Sequence, residues 1–163
     1  MDNSSTFWED LKSGHFISMV KESSQGQTLS NSREVYNVMK PLFAENDDVE
    51  TVYCIFLNAK NRILAIEKIF SGTISSSVIY PRELIKRVIA LKSTAIVLTH
   101  NHPSGFVEPS AEDKAITVRM AIAMASIDVD LHDHIIIGDG FHSMADSGLL
   151  NTVKSKFNSL LSL

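Results

Sequence analysis

Apolar residues along the chain recur with two different periods. Val35, Val38, Met39 and Leu42 follow three- and four-residue steps behind an Asn31-x-x-Glu34 capping pattern, which predicts a helix from about Ser32 that ends or bends near Pro41. Thr51 to Leu57 and Ile63 to Phe70 are β-rich runs separated by Asn58-Ala59-Lys60-Asn61-Arg62, the signature of a hairpin with a longer loop. Thr73 to Tyr80 reads as irregular or as a short strand, after which Pro81 takes the first turn of a helix over Arg82 to Leu91. A strand over Thr94 to Thr99 leads through a Pro/Gly-containing loop into a helix from about Ala111 to Ser126. His132 to Ile137 and Phe141 to Met144 predict two further strands. Hairpins mixed with βα crossovers predict an α/β fold, a single domain with a mixed sheet flanked by helices.

The two ends read differently. Residues 1–27 are polar and form an N-terminal extension, partly mobile, in which Phe16-Ile17-Ser18-Met19-Val20 predicts an edge strand. The domain proper runs over 28–150. In 151–163 the stripe Leu150, Val153, Phe157, Leu160 and Leu161 predicts an amphipathic helix packed on that domain, with a homodimer face as the alternative.

Composition narrows the function classes. With 163 residues, 44% hydrophobic and 21% charged, the chain has the balance of one ordinary globular domain. No apolar run approaches a membrane span, and Met1-Asp2-Asn3-Ser4-Ser5 lacks the basic and apolar regions of a secretory signal, so a cytoplasmic protein is expected. The single cysteine, Cys54, excludes an internal disulfide and lies in an apolar run, as a buried inert thiol would. A net charge of -4 provides no general attraction to phosphate, which argues against direct nucleic-acid binding. Arg82, Lys86, Arg87 and Lys92 are the local exception, and a solvated helix face accounts for them.

The chemistry concentrates in Thr99-His100-Asn101-His102-Pro103-Ser104-Gly105. Strand side chains alternate, so His100 and His102 point to one side and both imidazoles can reach one ion. Ser110 and Asp113 stand where the next helix begins. Side chains in a first turn lean toward the helix N-terminus, which aims the Asp113 carboxylate back at the histidine loop. Two imidazoles, one carboxylate and an open position suit a catalytic zinc site, and imidazole ligands favour zinc over harder ions. Ser110-x-x-Asp113 also reads as a capping box, although that motif more often ends in Glu or Gln. Asn101 should face away from the metal and fix the loop. A second pair, His132 and His134, has no acid at a matching helix start and is expected to support a ligand or fill the core.

These residues resemble a known family. His100-x-His102-Pro103 followed by Ser110-x-x-Asp113 is similar to the signature of the JAMM (JAB/MPN+) metallopeptidase-like domains, and the fuller string resembles their bacterial RadC-like branch. The resemblance includes Leu57-Asn58 with Lys60-Asn61, Gly72-Thr73-Ile74 leading to Pro81-Arg82-Glu83, Asp133-His134-Ile135-Ile136-Ile137-Gly138, and Ser143 through Gly148-Leu149-Leu150. It covers roughly Thr28 to Leu150 in the family's order. The implied fold is JAB/MPN-like (cytidine-deaminase-like), in a short form without the N-terminal helix-hairpin-helix region of longer members.

The resemblance also implies a mechanism. JAMM enzymes place a glutamate far upstream of the metal ligands as general acid/base, and the RadC-like pattern puts it just before the strand leading to the Leu-Asn turn. That position is Glu50, with Glu67 as the competing candidate and membership of the acidic run Asp47-Asp48 as the plainer explanation of Glu50. Ser110 would help hold the oxyanion of a tetrahedral intermediate. The implied activity is a Zn2+-dependent hydrolase of peptide or isopeptide bonds acting on an unidentified peptide or protein. The alternative is a non-catalytic metal-containing module in DNA repair or in mobile-element and anti-restriction biology, which rests on the family's historical label alone. A zinc nucleoside deaminase is excluded because it needs a Cys-x-x-Cys pair.

Overall fold

A computed structural model describes residues 13–44, 47–72 and 79–163 of the chain. Its centre is a five-stranded mixed sheet built from β1 (Thr51–Leu57), β2 (Ile63–Ser71), β3 (Ala95–Asn101), β4 (Asp130–Gly138) and β5 (Gly140–Ser143), in the order β2-β1-β3-β4-β5. Only the β3–β4 pairing is parallel. Every residue of β1 and β3 is buried, as expected of inner strands covered on both faces. The predicted α/β class, the hairpin after Leu57 and the mixed sheet are all present.

Helices cover both faces. One face carries Val52, Cys54, Phe56, Ile96, Leu98 and Ile136, packed under α3 (Pro81–Leu91), α4 (Ala111–Ala125) and α5 (Leu149–Leu161). The other carries Tyr53, Ile55, Leu57, Val97, Ile135 and Ile137 under α2 (Ser32–Phe43), joined by Ile17 and Val20 of α1 (His15–Ser24). Asn31 caps α2 by accepting the Glu34 N–H at 2.9 Å, and Pro41 sits inside its last turn rather than ending it. Cys54 is fully buried and its thiol is pushed well above the ordinary range by burial, then by the charge of Glu67, which makes it inert. Among the described residues no helix is long and apolar enough to cross a membrane.

Three expectations need correction or fall elsewhere. The run Phe16 to Val20 is helical, not an edge strand: Phe16, Ile17, Val20, Lys21 and Ser24 turn inward at helical spacing, and the α1 face they form lies on α2 and β2. The C-terminal stripe docks only in its first half, since Leu150 and Val153 are buried while Leu160 and Leu161 are 67% and 72% exposed. The reading of Thr73 to Tyr80 falls mostly on residues 73–78, and the mobile start on 1–12, both outside the described residues.

The cationic face of α3 is engaged locally. Arg87 holds Glu67, and Arg82 and Lys86 both reach Glu83, at 3.4 and 3.1 Å. Such exposed pairs contribute little stability.

Candidate metal centre

The centre forms at the C-terminal end of β3, where the even positions Ile96 and Leu98 continue as His100 and His102. His100 Nε2 and His102 Nε2 lie 3.0 Å apart. The Asp113 carboxylate closes the triangle, with Oδ1 3.2 Å from His100 Nε2 and Oδ2 3.3 Å from His102 Nε2. Asp113 belongs to the buried stripe of α4 together with Ile116, Thr117, Met120, Ala121 and Met124, so helical spacing delivers it to the sheet. Both arms of the capping box are present as well: Ser110 Oγ accepts the Asp113 N–H at 3.0 Å and Asp113 Oδ2 accepts the Ser110 N–H at 2.8 Å. Capping and the metal-capable cluster are therefore one arrangement, because the bonds with Ser110 fix the carboxylate in the pose that meets the histidines.

The donor set fits a divalent cation. Among the described residues these three side chains form a group able to hold a metal ion, their ligand atoms all within 4.8 Å of one another. Donors about 2.0–2.1 Å from a zinc ion stand roughly 3.3 Å apart in a tetrahedron, close to the separations found here. His102 Nδ1 lies 2.7 Å from the Phe106 carbonyl, which can only accept, so Nδ1 carries a proton and Nε2 is the nitrogen turned toward the centre. His100 Nδ1 meets His134 Nε2 at 2.8 Å.

Protonation follows from this crowding. The Asp113 carboxylate beside it raises the His102 pKa above the ordinary 6.5 against the opposing effect of burial, with further help from the Phe106 carbonyl and from the charges of Asp113 and Glu50. Burial works to raise the Asp113 pKa, but the facing His100 and His102 imidazoles overcome it and hold the carboxyl well below the usual carboxylate range. His134 is pushed far below its ordinary value by burial and then by neighbouring His100, so it is neutral. Two imidazole nitrogens and an ionised carboxylate converging in a buried spot are what a cation satisfies.

A tight backbone seam seats the loop that carries His102. The His102 N–H donates to the Ile137 carbonyl at 2.9 Å, and the Asp139 N–H donates to the Gly105 carbonyl at 2.8 Å. Gly105 has φ +84°, and a side chain at Gly138 would collide with the Gly105 carbonyl, so glycine is required at both positions.

Glu50 and Glu67 are placed differently. In the antiparallel β1–β3 register Val52 faces His100, and Glu50, two residues before Val52, lies near enough for its charge to help raise the His102 pKa. Asn101 secures that approach from both sides: Oδ1 accepts the Thr51 N–H at 2.7 Å and Nδ2 donates to the Val49 carbonyl at 3.0 Å. The middle residue of the motif does face away from the metal as expected, yet it fixes the peptide groups flanking Glu50 rather than its own loop. Glu67 pairs with Cys54 in the β2–β1 register, and its carboxylate is engaged by Arg87, with Nε to Oε2 at 2.8 Å. Ser110 sits at the mouth of the centre as the N-cap of α4, exposed, with its hydroxyl oxygen already an acceptor.

The second histidine pair is split. A register shift in β4, between the residues facing Ile96 and Val97, sets His132 apart. His134 then enters the face shared with His100, whereas His132 Nε2 meets Asn61 Oδ1 at 2.9 Å in the hairpin turn. Burial lowers the His132 pKa ahead of its charged neighbours. Thr117, which bonds His134 at 2.6 Å, was not marked by any motif, although its i+4 spacing from Asp113 puts it on the same helix face.

Known proteins share this chain's pattern. The UPF0758 protein of Thiobacillus denitrificans (strain ATCC 25259 / T1) is 39% identical over 133 residues, 81% of this chain and 59% of the relative. That of Stutzerimonas stutzeri (strain A1501) is 51% identical over 96 residues, 58% of this chain and 43% of the relative. That of Azotobacter vinelandii (strain DJ / ATCC BAA-1303) is 48% identical over 102 residues, 62% and 46% respectively. The chain thus spans about half the length of the curated relatives it matches. Since residues 29–149, which include His100, His102 and Asp113, match the RadC-like JAB domain, the chain belongs to that family.

Proposed function

We propose that this domain is a zinc-dependent hydrolase that cleaves peptide or isopeptide bonds. The observation that carries the reading is the convergence of His100, His102 and Asp113, and the charge of Glu50 acting on His102 supports its part. His100 Nε2, His102 Nε2 and an Asp113 carboxylate oxygen would hold the ion. When bound, zinc supplies Lewis acidity, which makes water a nucleophile near neutral pH. Glu50 takes the proton of the attacking water and passes it to the nitrogen of the leaving amine. The Ser110 hydroxyl proton is directed at the substrate carbonyl oxygen as negative charge develops there, since the hydroxyl oxygen already accepts from Asp113. Glu67, engaged with Arg87, takes no part.

The test uses the purified protein, metal analysis, and panels of peptides and isopeptide-linked peptides followed by mass spectrometry. Glu50→Gln should keep the metal and lose about 10²–10⁴-fold in turnover, while Glu67→Gln stays within a few-fold of the parent. His100→Ala should lose the metal. If no zinc is found and His100→Ala alters neither metal content nor stability, the proposal is refuted. A zinc-loaded protein that cleaves nothing in either panel would favour a non-enzymatic metal-containing module. Salt-independent or absent DNA affinity would then separate phosphate binding from other roles.

A further inference from the structure

We propose that His134 and Thr117 are positioning residues that hold His100 in the tautomer whose Nε2 lone pair faces the metal. The inference rests on the metal-centre reading and adds to it two residues that touch no ligand-binding space themselves. Its ground is a chain of hydrogen bonds whose direction is forced from one end.

The chain ends on a backbone carbonyl, the oxygen of Asp113, which lies 2.6 Å from Thr117 Oγ1. A carbonyl only accepts, so the single hydroxyl proton of Thr117 is committed there. His134 Nδ1, 2.6 Å from the same Oγ1, must then be the donor. A neutral imidazole that donates from Nδ1 accepts at Nε2. His134 Nε2 therefore receives the Nδ1–H of His100 across 2.8 Å. His100 is left with an unprotonated Nε2, the atom 3.2 Å from Asp113 Oδ1 and 3.0 Å from His102 Nε2.

The path runs from His100 back to the residue that faces it across the metal position. Asp113 enters twice, through its carboxylate on the metal side of His100 and through its carbonyl at the far end of the chain. Strand β3, strand β4 and helix α4 each contribute a member, so two of the three ligands are tied together by a path that avoids the metal. All four members are sealed from solvent, with exposures of 0% for His100, 2% for His134, 0% for Thr117 and 3% for Asp113. Water cannot substitute for a missing link at such burial, so each link constrains the next. His102 obtains the same tautomer more simply, from the Phe106 carbonyl. The two histidines are thus prepared by different devices for one lone-pair direction.

A buried pair that merely filled the core would show a different response to substitution. Thr117→Val keeps the shape and removes both hydrogen bonds, while Thr117→Ser keeps both. His134→Gln retains an acceptor for the His100 Nδ1–H, and His134→Leu does not. Two measurements apply: long-range ¹H–¹⁵N correlation of the imidazoles in metal-free protein, which reports the tautomer directly, and zinc affinity by chelator competition. The parent and Thr117→Ser should show His100 as the Nδ1–H form. Thr117→Val and His134→Leu should lose that single form and weaken zinc binding about 10–100-fold, as loss of such supporting partners does elsewhere. His134→Gln should stay within a few-fold of the parent, and the His134 pair decides the matter if Thr117→Val does not fold. An Nε2–H form of His100 in the parent, or Thr117→Val and His134→Leu binding zinc as tightly as the parent, would overturn the inference. A parent protein that takes up no zinc would instead overturn the metal-centre reading, and this inference with it.

Discussion

Replacing Gly138 by alanine would test whether the loop carrying His102 is seated by backbone contact with β4. A Cβ at 138 would lie 2.8 Å from the Gly105 carbonyl carbon and 3.1 Å from Val107 Cγ1, where ordinary contact begins at 3.4 Å. The nearest atoms are backbone, so no side-chain rotation relieves the clash and the loop must withdraw by at least ~0.6 Å. Two hydrogen bonds cross the seam, His102 N–H to Ile137 and Asp139 N–H to Gly105. Weakening them costs about 1 kcal/mol each, and overpacking a tight interior about 1–3 kcal/mol. The expected loss is about 3–5 kcal/mol, which lowers Tm by roughly 6–20 °C in a domain of this size. A ligand displaced beyond about 0.5 Å also leaves productive geometry, so zinc binding should weaken about tenfold or more. Thermal melting of metal-free protein and chelator competition measure the two effects separately. A Tm within about 2 °C of the parent, together with unchanged zinc affinity, would show that the seam does not seat the ligand.

Further expectations follow from the same contacts. In metal-free protein His102 has a pKa raised above 6.5, so its stabilising contribution is complete below that value and lost as the pH climbs through the raised one. Because a bound ion must displace that proton, zinc affinity should increase with pH up to the raised pKa and level off past it; a flat profile from acidic to alkaline pH in chelator competition contradicts this. Asn101→Ala removes the acceptor for a buried N–H and should cost about 1–3 kcal/mol in urea unfolding while reducing turnover more than metal content. Equal stability to the parent would mean that the clamp on Val49 and Thr51 is unimportant. Leu150→Ala should destabilise by about 2–5 kcal/mol and Leu160→Ala by less than about 0.5, because only the first half of α5 is buried. Similar melting shifts for the two would contradict the observed docking.

The sequence exposed most of this arrangement because its decisive signals are local. Alternation along β3 and the first-turn lean of Asp113 are enough to bring three ligands together, and each is a property of a few adjacent residues. The short run Phe16 to Val20, apolar but for Ser18, resembles a strand until Lys21 and Ser24 are included in the turn. His132 and His134 looked equivalent because a two-residue spacing implies a common face. A register shift in β4 breaks that equivalence, and such a shift is set by pairing with β3 rather than by β4 itself. Glu50 and Glu67 likewise could not be separated within their own runs. The distinction comes from which strand each faces and from Arg87, which lies on a different helix from any metal ligand.

The Asn101 clamp also bears on the order in which the centre is completed as the chain folds. His100, His102 and Asp113 come from one strand–loop–helix unit, whereas the bonds from Asn101 to Thr51 and Val49 span 50 and 52 residues. Contacts close in sequence form early, and distant ones wait for a larger loop to close. An ion can therefore be gathered by a short stretch of nascent chain, but Glu50 arrives only when β1 has found its register beside β3. On the proposed reading, metal loading and the arrival of the general base are separate events, so a partly folded molecule would hold its ion before it could cut a neighbour.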